Sequence, residues 1–155
     1  MKQTEEWNST KSRIEIQIKE LRHQLHTCPE ISGQERKSRS AIKRFLEENT
    51  HFELHDCGAG FYAACRSSAP EQAKKGIAFR ADYDALALPE GGAAHLCGHD
   101  GHAAALCGVA LLLEQAKGEG RDPGRDVFFL FQPAEETGAG AAPCCELFDR
   151  EDIEE

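Results

Sequence analysis

The sequence predicts an α/β fold: a sheet containing parallel strands, flanked by helices. Three observations predict it. Short apolar runs that read as strands alternate with segments of helical periodicity. One of the runs, VFFLFQ (Val127 to Gln132), is apolar up to its last residue, as expected of a strand covered on both faces. Polar, metal-capable residues follow two of the strands, directly after one and beyond Pro133 and Ala134 after the other, where ligand chemistry gathers in such sheets.

The elements follow in order. Trp7, Ile14, Ile18, Leu21 and Leu25 recur at helical spacing, which predicts an amphipathic helix from about Glu5 to His26, ended by Pro29. Ser32 followed by Glu35 has the form of a capping box and opens a second helix to about Glu48, with Ala41, Ile42, Phe45 and Leu46 inward. GFYAACRS, from Gly60, is a strand; SSAPEQAKKG is a loop; IAFRA, from Ile77, is the next strand. A central helix spans about Asp100 to Ala116, and the turn-rich KGEGRDPGRD leads into VFFLFQ, which Pro133 stops. The small-residue segment from Gly138 to Phe148 reads as helical, with Pro143 tolerated only near its first turn. No repeat or interdomain linker is visible, so residues 1–155 are expected to form a single domain.

Bulk composition narrows the class. With 155 residues, 40% hydrophobic and 29% charged, the chain is long and apolar enough for a hydrophobic core. Acidic residues outnumber basic ones 27 to 18, a net charge of −9, and no basic stripe exists, which argues against a nucleic-acid partner. The most apolar run, Ala103 to Leu113, is too short to span a bilayer, and MKQTEEWNST has no signal-peptide core, so no membrane association is expected. Seven cysteines, odd in number and irregular in spacing, suggest reduced thiols and a cytoplasmic protein. Cys28, Cys57, Cys65 and Cys107 read as small buried hydrophobes and Cys144–Cys145 as helix packing. Thiol redox chemistry at that pair lacks CxxC spacing, and Gly138-x-Gly140 lacks the strand-turn-helix setting of a dinucleotide site.

Three groups carry potential chemistry. HLCGHDGHAA places Cys97 and His99 at the mouth of the central helix, with Gly98 letting the backbone turn so that both can face one ion. A thiolate is favoured at a helix N-terminus, and thiolate with neutral imidazole suits zinc or a similar first-row ion. The plain alternative is a buried cysteine beside a helix-capping Asp100, with solvated histidines; His95 and His102 read as flanking polar groups, or as supports behind a ligand. Glu135–Glu136 lies between an apolar strand and TGAGAA, away from any charged helix face. Neighbouring side chains diverge there, so one can bind metal while the other moves protons; the alternative is a loop doublet facing water. Asp82 and Asp84 share a side if the chain stays extended, and one could fix a ligand histidine's tautomer, or both could simply end the strand in a turn.

LRHQLHTCPEISGQE, IAFRADYDALALPE, HLCGHDGHAA and VFFLFQPAEETGAGA together resemble the N-acyl-amino-acid amidohydrolases, which include hippurate hydrolases and plant auxin-conjugate hydrolases. These belong to the aminoacylase and carboxypeptidase type of dinuclear metallopeptidases. The resemblance implies metal ligation by Cys97, His99 and Glu136, a general base at Glu135, and supporting roles for Asp84, Asp82 and Asp100. It implies two divalent ions, manganese or zinc with cobalt or nickel as alternatives, and a small N-acyl amino acid as substrate. It further implies that the chain is the N-terminal portion of a catalytic domain, without the lid or dimerisation domain through which the family homodimerises. Two further metal-binding histidines of the family have no match here; His23, His26, His51 and His55 precede the motifs. The loop ALALPEGGAA is shorter than in many relatives. The expectation is a metal-dependent amidohydrolase whose activity as this chain alone is absent or weak. The rival expectation is a non-catalytic metal-binding or interaction protein that retains half of the site.

Overall fold

Alternation along the most apolar strand organises the molecule. Val127, Phe129 and Phe131 join the core on one face of a sheet, while Phe128 and Leu130 join a second cluster on the other. Burying each of these side chains is worth roughly 1.5–3 kcal/mol relative to exposure, which makes this strand the best anchored in the fold. The computed structural model describes residues 2–68 and 74–154, and for residues 2–8 the backbone alone. The Trp7 side chain and the middle of the loop SSAPEQAKKG therefore lie outside the described residues.

In chain order the elements are α1 (Lys2–His26), α2 (Arg36–Asn49), β1 (Glu53–Cys57), β2 (Gly60–Cys65), β3 (Lys74–Asp82), β4 (Leu86–Ala87), β5 (Ala93–Ala94), α3 (His99–Gly118), β6 (Arg125–Gln132), α4 (Ala141–Cys144) and α5 (Glu146–Arg150). The main sheet runs β1-β2-β6-β3. β3 and β6 are parallel, with Asp82 opposite Gln132, while β1–β2 and β2–β6 are antiparallel. The chain from β3 to β6 thus forms a strand–helix–strand unit through α3, interrupted by the small β4–β5 hairpin. Helices α1, α2 and α3 cover one face through Leu21, Leu25, Ile42, Leu46, Ala103 and Cys107. On the other face Cys144, Leu147 and Ile153 close over Tyr62, Phe128 and Leu130.

Four expectations need correction. β1, ELHDC, was not foreseen: its polar composition suits an edge strand in which only Cys57 is buried. Ser32 and Glu35 do not form a capping box. α2 begins at Arg36 without a side-chain cap from Glu35, and Ser32 and Glu35 turn instead to the loops beside the strand ends. The Glu30 carboxylate serves the helix start, accepting from the Lys37 and Ser38 N–H groups and the Ser38 hydroxyl at 2.7–3.1 Å. The segment Gly138 to Phe148 forms two short helices, with Pro143 inside the single turn of α4, where its missing N–H costs nothing. Among the cysteines, Cys57, Cys65, Cys107 and Cys144 are buried, but Cys28 is only partly so and Cys145 is exposed.

Candidate metal centre

The parallel register of β3 and β6 delivers Asp82, Asp84, Glu135 and Glu136 to one end of the sheet, where α3 also begins. Gly98 makes that junction possible. Its φ of 81° lies in the left-handed region, and open space surrounds it, so the requirement is conformational rather than steric. Among the described residues, two groups of three side chains have donor atoms within 4.8 Å of one another: Cys97, His99 and Glu136, and Asp82, His99 and His102.

His99 is buried and oriented from behind. Its Nδ1 lies 3.0 Å from Asp84 Oδ1, so Nδ1–H donates to that carboxylate and Nε2 is left facing the site. Nε2 faces Glu136 Oε1 at 3.7 Å, Glu135 Oε2 at 3.8 Å and Asp82 Oδ2 at 3.8 Å. Glu136 Oε1 is buried and has no hydrogen-bond partner among the described residues. Three carboxylate oxygens converging on one imidazole nitrogen form an arrangement that a cation between them would stabilise. The donor chemistry therefore fits a divalent ion with mixed sulfur, nitrogen and oxygen ligation.

Asp84 is fully buried and held in place by Ser32 Oγ at 2.6 Å and the Glu136 N–H at 3.0 Å, both donating to Oδ2. Burial opposes its charge, but Ser32, the Glu136 amide and His99 outweigh it and keep the carboxyl below its ordinary value. Cys97 is exposed, and its thiol is pushed up to about 11, first by the hydrogen bond it makes to Glu136 and then by burial and the charges of Glu136, Glu135 and Asp84. A cation replacing that proton would reverse the balance. Glu135 is 42% exposed and its carboxylate makes no hydrogen bond among the described residues. Of two adjacent glutamates, one thus turns inward and one stays accessible.

The loop that carries these glutamates is tightly constrained. Ala134 has φ 51°, an uncommon left-handed conformation for a residue with a Cβ, and its N–H donates to Glu35 Oε1 at 2.7 Å. At Gly140 a Cβ would lie 1.6 Å from the Pro133 carbonyl oxygen, so no side chain fits where the loop closes.

The remaining motif residues go elsewhere. Asp82 Oδ1 accepts from His102 Nδ1 at 2.7 Å and Oδ2 from Arg80 at 2.8 Å. Asp100, fully buried, turns away from the donors to α1, where Arg22 and His26 each reach its Oδ2 at 2.9 Å. It ties α3 to α1. His95 is not a solvated neighbour: the bend at Leu96 and Cys97 turns it inward against His26 and leaves Leu96 70% exposed. Ser32 and Glu35 are the residues that local reasoning missed. Their only signal was membership of LRHQLHTCPEISGQE, which helix capping seemed to explain.

Comparisons with known proteins bear on this geometry. The model of peptidase family M20/M25/M40 matches residues 78–155. An N-acetylcysteine deacetylase of Bacillus subtilis is 37% identical over 131 residues, 78% of this chain and 33% of its own length. An N-acetyldiaminopimelate deacetylase of the same organism is 33% identical over 140 residues, 81% of this chain and 35% of its own. The chain thus spans about a third of the length of these relatives. The crystal structure of a dinuclear metal-binding peptidase of the M20 family from Bacillus subtilis superposes with a TM-score of 0.76 at 34% identity, covering 94% of this chain and 42% of that one. An aminobenzoyl-glutamate utilization protein from Klebsiella pneumoniae, at 21% identity, shares the fold with a TM-score of 0.73, covering 94% and 43%.

Proposed function

Because the chain belongs to peptidase family M20/M25/M40, we propose that it carries part of the active site of a metal-dependent amidohydrolase acting on small N-acyl amino acids. One observation supports this above others: the His99 Nε2 lone pair, its tautomer fixed by Asp84, faces the unpartnered Glu136 Oε1 with Cys97 beside it. In this reading Cys97, His99 and Glu136 hold a divalent ion, zinc or manganese, with cobalt or nickel able to substitute, and the complete site holds two. When bound, such ions polarise the scissile carbonyl and acidify water near neutral pH.

The chain's own residues do the rest. Glu135, accessible and uncommitted, takes the proton of the attacking water and passes it to the nitrogen of the departing amino acid. Asp84 keeps the His99 ring oriented, with Nε2 turned toward the glutamates. Ser32 and the Glu136 amide hold Asp84 in place, so the glutamate loop and the histidine are tied to one carboxylate. The net acidity of the chain favours no polyanionic substrate, and the relatives named for N-acetyl amino acids make a small acetyl amide the first class to test. Seven free cysteines suit a reducing compartment such as the cytoplasm, and among the described residues no helix is long and apolar enough to cross a membrane.

The test is hydrolysis of N-acetylcysteine and other N-acetyl amino acids by the chain with manganese or zinc, read as released amino acid. With three donors from this chain, turnover is expected to be low. Glu135→Gln should lower it by roughly a hundredfold or more while leaving metal binding intact. Tight metal binding with no turnover attributable to Glu135 would favour a non-catalytic metal-binding protein instead.

A further inference from the structure

A second set of donors adjoins the first and shares His99 with it, while Asp82 and His102 take no part in the proposed chemistry. Asp82 closes β3 and is buried; His102 lies three residues after His99 on the first turn of α3, so both imidazoles rise from one helix face. Their ring centroids are 5.5 Å apart, and Asp82 meets both, through Oδ1 at 2.7 Å to His102 and Oδ2 at 3.8 Å to His99 Nε2. The donor atoms of all three lie within 4.8 Å of one another. Two imidazoles and a carboxylate from a strand end and a helix start make a set suited to borderline divalent ions such as cobalt, zinc and manganese.

We propose that Asp82, His99 and His102 form a second, weaker divalent-cation position that shares His99 Nε2 with the Cys97–Glu136 donors and is filled in exclusion of them. The exclusion follows from chemistry: one ring nitrogen has one lone pair, and His99 Nε2 sits 3.7 Å from Glu136 Oε1 and 3.8 Å from Asp82 Oδ2. The weakness follows from Arg80, whose guanidinium already bonds Asp82 Oδ2 at 2.8 Å and opposes a further positive charge. The position is open to solvent through His102, whose side chain is 58% exposed.

The experiment is cobalt titration of the chain, followed by visible absorption and calorimetry, in wild type, Cys97→Ser, His102→Ala and the double variant. Cys97 and His102 are both exposed, so these changes should not unfold the chain, and circular dichroism in chelator checks it. Wild type and His102→Ala should show a thiolate-to-cobalt band. Cys97→Ser should lose the band yet retain weaker cobalt binding, and adding His102→Ala should weaken that remainder by roughly tenfold or more. Arg80→Gln in the Cys97→Ser background should tighten it. The proposal is overturned if Cys97→Ser binds no cobalt, if the double variant binds as well as Cys97→Ser, or if wild type takes up two ions at saturation. Absence of the band in wild type would instead count against the Cys97 ligand of the proposed function, leaving the His102 comparison decisive for the second position.

Discussion

Replacing Glu35 should unsettle both the fold and the metal site, although Glu35 touches no donor. Its carboxylate is buried and accepts the N–H of Ala134, a residue already held at φ 51° immediately before Glu135 and Glu136. Glu35→Ala removes a charge-assisted hydrogen bond and leaves a buried amide without a partner, a loss of about 2–3 kcal/mol. Little of that loss comes from α2, because the Glu35 side chain makes no cap for the helix it precedes. Glu35→Gln keeps a carbonyl acceptor at the same reach and should lose about half as much. Urea denaturation at neutral pH reads the difference: with a slope near 2 kcal/mol/M, the alanine variant should unfold at roughly 1 M lower urea. Cobalt affinity should fall by about tenfold as the glutamate loop relaxes. An alanine variant within about 0.5 kcal/mol of wild type, or a glutamine variant as damaged as the alanine one, would refute the idea that this hydrogen bond holds the loop.

Three further outcomes are expected. Asp84→Asn should weaken cobalt binding by roughly 10–100-fold while keeping the thiolate band, because the His99 tautomer loses its anchor; unchanged affinity would remove Asp84 from its positioning role. Gly140→Ala should cost about 3 kcal/mol or more in a denaturant melt, since its Cβ would overlap the Pro133 carbonyl; a melt like that of wild type would mean that the loop closes differently. The Glu151 carboxyl is held below its ordinary value first by the Arg66 guanidinium, against burial, and then by the Tyr62 hydroxyl. A depressed carboxyl contributes stability that is present above its unfolded value, near 4.3, and is lost as pH falls through the lower folded one. Glu151→Gln should therefore be less stable than wild type at neutral pH, with the two converging in acid; a constant gap down to the acid transition would contradict this.

What the sequence revealed followed from periodicity and from motif order. α1, α3 and β6 were legible because Ile14, Leu21 and Leu25 repeat at helical spacing and VFFLFQ has no polar interruption. Cys97, His99 and the Glu135–Glu136 doublet were legible as a group because each falls where a strand ends or a helix begins, and the family resemblance singled out Glu136. β1 was not, because an edge strand carries polar residues that composition cannot distinguish from loop. Ser32 and Glu35 were misread because a local pattern accounted for them; their true partners, Asp84 and Ala134, lie 52 and 99 residues away. Long-range polar contacts of this kind leave no periodic trace. The inward turn of His95 was hidden for the same reason, since its neighbour His26 belongs to α1.

The register that sets Asp82 beside Gln132 has a consequence for motion. The carboxylate donors hang from the last rungs of one parallel ladder, so the fraying that exposes those amides must also pull them away from Cys97 and His99 at the start of α3. An ion that binds only the closed form would slow that fraying in proportion to its occupancy. Deuterium uptake at the ends of β3 and β6, compared with and without cation, would then register binding as directly as any spectrum.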